Sequence, residues 1–191
     1  LQKSHPWNPQ LPLVNSATGR KILLRQSSAI QARSPLYSGP PALTTRAQKG
    51  IAQLHAGLVA HDDHQTGLGV LQLAGLGPGL TPAGDDFLVG LLAALTAWPR
   101  PISSSAEQRR FVATVAAPRT TRLSAAWLYR AGEGCFGELW HRLTAAANAD
   151  DQAKIAQAVN AIGATGATSG ADALYGFLVG LHADANRALR E

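Results

Sequence analysis

The sequence predicts a mainly α-helical domain that follows a short proline-rich start. Three observations support this fold class. Alanine and leucine are abundant whereas β-branched residues are sparse, which favours helix over sheet. From residue 44 onward, apolar residues recur at helical spacing. The 191 residues are 46% hydrophobic, which is enough for a sizeable core and argues against a disordered chain.

Two regions are predicted, 1–43 and 44–191. The first holds six of the eleven prolines, and proline has no backbone N–H to donate within a helix. We therefore expect this region to be irregular, with a short strand at 21–25 that pairs with 11–14 across a turn at 15–19. The second region is predicted to form the helical domain.

The first two helices of this domain are predicted from a cap followed by an apolar stripe. Thr44 precedes a stripe with helical spacing, formed by Ala47, Ile51, Leu54 and Leu58. A second helix is predicted to start at Thr81 or Pro82, because proline suits the first turn, and to end at Pro99. Its inward-facing residues are predicted to be Leu88, Leu91, Leu92 and Leu95.

Five further helices are predicted from apolar stripes of the same period. In the second of these five, the inward-facing residues are predicted to include Leu123 and Trp127. Gly163 is a natural stop for the fourth. The predicted ranges are 104–116, 120–131, 136–147, 151–162 and 169–188.

A glycine-aspartate motif occurs twice in the chain. The segments 84–90 and 170–176 both read Gly-x-Asp-x-Leu-x-Gly and start 86 residues apart. A threonine precedes each copy, Thr81 and Thr168, and an apolar helical run follows each. The first turn of a helix has free N–H groups and the positive end of the helix dipole, so it can bind an anion. The repeat predicts two similar helix starts that share a polar ligand.

Both repeat helices contain small residues four positions apart, Gly90 with Ala94 and Gly176 with Gly180. A glycine inside a helix costs about 1 kcal/mol relative to alanine, so a matched pair needs a physical reason. Close approach of two helix backbones is the usual one. We expect the two helices to cross there, with their amino-terminal ends and aspartates near one another.

The loop before the first repeat helix is the first candidate binding site. Gly77 and Gly79 permit unusual backbone angles and let a ligand approach the main chain, with amides near Thr81 and Gly84 available to oxyanions. The common nucleotide-loop patterns are absent. The alternative is a plain glycine-rich turn in which Thr81 caps the helix and Asp85 complements its dipole. The corresponding candidates in the second loop are Thr168, Ser169 and Gly170.

Three aspartates are candidates for the chemistry, and the repeat aligns Asp86 with Asp172. Together with Asp85 they could hold Mg²⁺, or they could orient a substrate nitrogen through hydrogen bonds. The alternative is that they only complement helix dipoles. We predict a hydrogen-bonding role for Asp86 and Asp172 as catalytic residues, with Mg²⁺ as the less favoured possibility.

A basic, hydroxyl-rich helix start is the third candidate. Arg119 can clamp a carboxylate or phosphate, as can Arg122, and is predicted as a catalytic residue. Thr120 or Thr121 can cap the helix, and Ser124 lies one turn later, so all three are predicted to bind substrate. The alternative is a solvated helix end.

Charge, hydropathy and the single cysteine exclude several classes of protein. The net charge of +5 comes from scattered arginines without a basic run, so no nucleic-acid partner is expected. The longest apolar run, 87–98, is too short to span a bilayer. Cys135 is the only cysteine and no secretion signal occurs, which predicts a cytoplasmic protein. The absence of methionine predicts a longer natural amino-terminal portion.

The segment 61–64, His-Asp-Asp-His, resembles a metal cluster. It lies where a helix is expected to run into a turn at 65–67, and adjacent residues there splay into solvent. No metal site is predicted at this segment.

The two loops at 75–86 and 166–172, with Arg119, Thr120, Thr121 and Ser124 between them, resemble the AllH-like family over about residues 44–185. The resemblance implies a subunit of a heteromeric oxamate carbamoyltransferase of allantoin degradation. Such a complex moves a carbamoyl group between oxalurate and phosphate, giving oxamate and carbamoyl phosphate. The implied partners are the other carbamoyltransferase subunits and a small anionic substrate. The alternative function is a non-catalytic scaffold whose glycines serve only helix packing.

Overall fold

The computed structural model describes residues 7–98 and 105–185, and these residues form a mainly α-helical fold, as predicted. They contain no β-strand, and one isolated bridge pairs Gln10 with Cys135. A short 3-10 turn at 117–119 accompanies the α-helices. The helices are α1 (Ala17–Leu24), α2 (Ser27–Gln31), α3 (Pro35–Ser38), α4 (Pro41–Ala60), α5 (Asp63–Leu73), α6 (Ala83–Ala97), α7 (Ser105–Ala116), α8 (Arg122–Gly132), α9 (Glu138–Asn148), α10 (Gln152–Gly163) and α11 (Ser169–Ala185).

All seven helices predicted beyond residue 43 are present, but two predicted caps are wrong. Helix α4 begins at Pro41, and the hydroxyl of Thr44 donates to the Pro41 carbonyl at 3.2 Å from inside the helix. Helix α6 has Pro82 as its N-cap, so Thr81 precedes the cap. The predicted helix end at Pro99, position 104 and positions 186–188 lie outside the described residues.

The strand predicted at 21–25 is wrong, because α1 covers most of that segment. Ser16 caps this helix, and its Oγ accepts the Gly19 amide at 3.0 Å. Gly19 packs against the carbonyl of Ala147, and Leu23 is fully buried. A three-residue apolar run cannot distinguish a strand from one buried turn of helix, and packing against the domain decides the outcome.

Helix α5 occupies residues where the sequence predicts a turn, so the prediction for 65–67 is wrong. Asp62 caps α5, with Oδ1 accepting the Gln65 amide at 3.0 Å. A Cβ atom on Gly69 would overlap the backbone of Leu54, and one on Gly57 would overlap Thr66. These glycines therefore serve close packing of α4 on α5.

Helices α6 and α11 form the centre of the molecule and cross closely, as the small residues predict. The predicted inner face of α6, with Leu88, Leu91, Leu92 and Leu95, is buried. In α11, a Cβ atom on Gly180 would press on the side chain of Ala94. Side chains at these positions would hold the two backbones apart, so glycine is required for the contact.

The contacts between α6 and α11 follow the repeat. Gly90 faces the carbonyl of Ala173, and Gly176 faces the carbonyl of Phe87. The repeat aligns Gly90 with Gly176 and Phe87 with Ala173. This exchange of equivalent positions relates the two helices by an approximate local two-fold axis.

The first glycine of each repeat also has an equivalent role. Gly84 packs on the Leu73 carbonyl at the end of α5, and Gly170 packs on the Ile162 carbonyl near the end of α10. In both places the loop that leads into the repeat helix turns back onto the preceding helix. The two helix starts are therefore built in the same way and lie on related sides of the crossing.

The inner face predicted for α8 is wrong at Leu123 and Trp127. The side chains of Leu123 and Trp127 are 46% and 56% exposed, whereas Ser124 and Leu128 are buried. The buried stripe of this helix is thus displaced by one residue from the most hydrophobic positions. This result leaves Leu123 and Trp127 on the surface.

None of the described helices combines the length and the hydropathy that a membrane span requires.

Candidate functional site

A cavity of about 420 Å³ lies where the starts of α6 and α11 meet. Its volume is typical of a small-ligand pocket. Its polar end is formed by the two helix starts, and its apolar walls come from α8, α9 and the end of α10. The lining residues that the sequence predicts as site residues are Thr81, Asp85, Asp86, Ser124, Ser169 and Gly170.

The two repeat starts converge at this cavity. The hydroxyl oxygens of Thr81 and Ser169 are 3.2 Å apart and share a hydrogen bond. This contact joins residues 88 positions apart in the chain, each next to a repeat helix. The structure therefore brings together the two loops that the sequence predicts to share a ligand.

Asp86 is the carboxylate at the polar end of the cavity. Its Oδ2 atom is buried and has no hydrogen-bond partner among the described residues. Burial raises the pKa of Asp86 to about 6, helped by the nearby Asp172 and Asp85 charges and opposed by the hydroxyls of Ser169 and Thr81. An unpartnered carboxylate oxygen is costly inside a protein, and beside a cavity a ligand can supply the missing donor.

Asp85 also lines the cavity, and it holds the first loop in place. Its Oδ1 accepts the Gly75 amide at 2.8 Å, and its Oδ2 accepts the hydroxyl of Thr120. Burial raises the pKa of Asp85, and these hydrogen bonds oppose the shift. Asp85 thus connects α6, the glycine loop and the segment before α8.

Asp172 is buried and does not line the cavity. Its Oδ1 accepts the hydroxyl of Ser34 at 2.5 Å, while its Oδ2 has no hydrogen-bond partner among the described residues. Burial raises the pKa of Asp172 to about 6, and the Ser34 and Thr168 hydroxyls and the Leu36 amide oppose the shift. The segment 34–36 thus covers Asp172, whereas Asp86, its equivalent under the local two-fold, lines the cavity.

We expect Ser34→Ala to destabilise the fold by about 1–3 kcal/mol, because it leaves a buried carboxylate with one fewer donor. Chemical denaturation measures this change. Ser28→Ala, at an exposed position on α2, is the control and should change stability by less than about 0.5 kcal/mol. Equal effects of the two substitutions would show that the hydroxyl of Ser34 does not support Asp172.

Asp86 and Asp172 should make stability depend on pH in the acid range. Their folded-state pKa values, about 6, lie above the ordinary 3.8, so the folded state binds more protons between these values. The contribution of these two groups to the free energy of unfolding is therefore largest below about pH 3.8, and it is lost as the pH rises through about 6. We expect Asp86→Asn to raise the melting temperature, relative to the native chain, more at pH 7 than at pH 4. A difference that is the same at both pH values would contradict the burial of this charge.

The remaining predicted site residues lie outside the cavity wall. The Gly84 amide donates to the Leu76 carbonyl at 2.8 Å and the Gly170 amide to the Thr165 carbonyl at 3.0 Å, so both amides are used within the loops. Arg119 and Arg122 are exposed. Thr121 caps α8 through the Ser124 amide, as predicted, and Thr168 precedes α11. Predicted residues that do not line the cavity are Gly77, Gly79, Gly84, Arg119, Thr120, Thr121, Thr168 and Asp172.

The family model described as oxamate carbamoyltransferase subunit AllH matches residues 73–181, more than half of the chain. The chain belongs to the AllH family. The match covers α6, most of α11 and every residue that lines the cavity. Searches of curated proteins and of solved structures find no match to this chain.

The apolar walls of this AllH cavity are the part of the site that sequence reasoning misses. Trp127 and Trp140 lie on α8 and α9, and Val89 and Ala173 lie within the first two turns of the repeat helices. Their residue types are ordinary core types, so no motif marks them. The spacing of Val89 three residues after Asp86 is the one available signal, because such residues share a helix face. The other unpredicted lining residues are Gly137, Glu138, Leu139, Ile162, Thr165 and Gly166.

No cluster of three or more histidine, cysteine, aspartate or glutamate side chains suited to a metal ion occurs within residues 7–98 and 105–185.

Proposed function

We propose that this chain is the subunit of a carbamoyltransferase complex that holds the carbamoyl-bearing substrate. The reaction moves the carbamoyl group between oxalurate and phosphate, giving oxamate and carbamoyl phosphate. The observation that supports the proposal is the unpartnered, buried Oδ2 of Asp86 at the polar end of a cavity with apolar walls. A carbamoyl group has an –NH₂ end, which supplies the donors that a carboxylate accepts.

Asp172, the equivalent of Asp86 under the local two-fold axis, indicates the preferred ligand chemistry. Asp172 accepts the hydroxyl of Ser34, and the Leu36 amide also faces it. Oδ2 is unpartnered in both aspartates, but Asp86 lines the cavity, where a ligand can donate hydrogen bonds to it. A planar amide or ureido group supplies N–H donors and two flat faces that pack against Trp127 and Trp140.

The proposed roles of the polar residues follow from their contacts. Asp86 orients the nitrogen end of the substrate, and Asp85 and Asp172 hold the two helix starts that surround it. Thr81 and Ser169, at hydrogen-bonding distance from each other, offer hydroxyls to the carbonyl oxygen or to Asp86. Holding the carbamoyl carbon in one orientation favours attack by a phosphate oxygen.

The transfer step is balanced by these reactants alone. A phosphate oxygen forms a bond to the carbamoyl carbon of oxalurate, and the bond from that carbon to the imide nitrogen breaks. The phosphate proton passes to the leaving nitrogen, which becomes the amide of oxamate. Negative charge develops on the carbamoyl oxygen, where hydrogen-bond donors stabilise it.

Binding of a neutral ureido compound tests this proposal on the chain by itself. Ethylurea carries the –NH₂ donors of a carbamoyl group without its anionic end. At tens of millimolar, it should raise the melting temperature of the native chain, because it binds only the folded state. The Asp86→Asn variant should show no such rise. Equal responses of the two proteins, or none in the native chain, would refute the role of Asp86.

A further inference from the structure

We propose that a partner subunit docks on an apolar surface beside the cavity and inserts a lysine or arginine that completes the substrate site. We call this surface, which is formed by Leu80, Leu123 and Trp127, the rim surface. This inference rests on the proposed function, because it assigns the source of the cation that the anionic substrates require.

The rim surface is exposed, apolar and continuous with the cavity. The side chains of Leu80, Leu123 and Trp127 are 74%, 46% and 56% exposed. Leu123 and Trp127 lie one turn apart on α8, and the Leu80 carbonyl accepts the hydroxyls of Thr121 at 2.6 Å and Ser124 at 3.4 Å. Trp127 lines the cavity, as do Ser124 and Thr81. A partner seated on the rim surface therefore reaches the cavity mouth.

The charges of the cavity show what this partner must supply. The ionisable side chains among its described lining residues are Asp85, Asp86 and Glu138, and all three are acidic. Oxalurate and phosphate are anions, so a site with only carboxylates would repel them. Arg142 forms an ion pair with Glu138 at 2.6 Å outside the lining, and Arg119 and Arg122 are exposed. A lysine or arginine of a partner bound at the rim surface is the best source of the missing positive charge.

The family description supports a protein as the occupant of this surface. The matched family is described as a subunit of oxamate carbamoyltransferase, which implies other subunits in the same enzyme. Exposed leucine and tryptophan side chains next to a binding cavity are typical of a protein interface. The partner is therefore expected to present an apolar contact surface with a lysine or arginine that enters the cavity.

Substitution at the rim surface tests the docking. Leu123→Asp places a charge in the proposed contact, and Tyr129→Asp, at a 51% exposed position on the same helix, is the matched control. Isothermal titration with the other carbamoyltransferase subunits should show an affinity at least about tenfold weaker for Leu123→Asp and unchanged for Tyr129→Asp. Leu80→Asp, in the loop, provides a second variant with the same expected loss. Native affinity of both rim variants would overturn the proposal.

Substrate binding tests the source of the cation. The assembled complex should bind oxalurate at least about tenfold more tightly than the single chain, whereas ethylurea should bind both equally. Equal affinities of the single chain and the assembled complex for oxalurate would overturn the inference. Loss of the ethylurea response in the native chain would instead refute the proposed function, so the two failures are distinguishable.

Discussion

Replacing Asp86 by asparagine is expected to reduce carbamoyl transfer by the reconstituted complex by about 100-fold or more. Asparagine keeps the size of the side chain but loses the negative charge and replaces one acceptor oxygen by a donor, so it accepts the carbamoyl –NH₂ group more weakly. The substrate would then lose its orientation toward the attacking phosphate oxygen. Turnover is measured as carbamoyl phosphate formed from oxalurate and phosphate.

A control variant and a stability measurement show whether the effect is specific to the site. The first is the control Asp63→Asn, which removes an exposed aspartate from the first turn of α5 and should leave turnover unchanged. The second is stability, because removal of a buried charge should raise the melting temperature at pH 7 even as activity falls. Full activity of the Asp86→Asn complex would mean that the cavity is not the substrate site, and would favour the scaffold alternative.

Replacing Gly176 by alanine is expected to destabilise the fold by about 3 kcal/mol, a large share of the stability of a typical domain. The added Cβ atom would overlap the carbonyl of Phe87, and backbone cannot move aside as a flexible side chain can. The two central helices would have to separate, which also opens the contact between Thr81 and Ser169. Urea denaturation measures the change as a lower midpoint.

Gly137→Ala is the matched control for this effect. A Cβ atom on Gly137 meets no atom within 4 Å, and its backbone φ of −76° suits alanine. Alanine lowers the conformational entropy of the unfolded chain, which stabilises the fold, but it is a weaker N-cap than glycine. Because these effects oppose each other, the denaturation midpoint of Gly137→Ala should change little. If Gly176→Ala unfolded at the same midpoint as Gly137→Ala, the close crossing of α6 and α11 would be incorrect.

The helix pair was predictable because two independent signals mark it. The repeated motif identifies equivalent helix starts, and the small residues at Gly90 and Gly176 identify where the helices touch. Helix α5 was not predictable in the same way. Its glycines weaken the helical pattern, and the role of Gly69 is visible only when α4 packs against it. Tertiary packing overrides local propensity at such positions.

The polar end of the site was also predictable, whereas its walls were not. Asp86 belongs to the repeat, Thr81 and Ser169 lie just before its two copies, and all three meet at the cavity. Trp127 has the residue type and spacing of a core residue, yet a shift of one position on α8 leaves it at the cavity mouth. Arg119 carries the charge that an anion site needs, but its position relative to α6 depends on the path of the chain between the repeats.

The most direct test is a structure of the assembled enzyme with oxalurate and without phosphate, so that transfer cannot occur. We expect the terminal –NH₂ group of oxalurate to lie about 2.9 Å from Oδ2 of Asp86, beside the Thr81 and Ser169 hydroxyls, with a lysine or arginine of the partner at its carboxylate. Oxalurate bound at another place, with the cavity between α6 and α11 empty, would contradict the account.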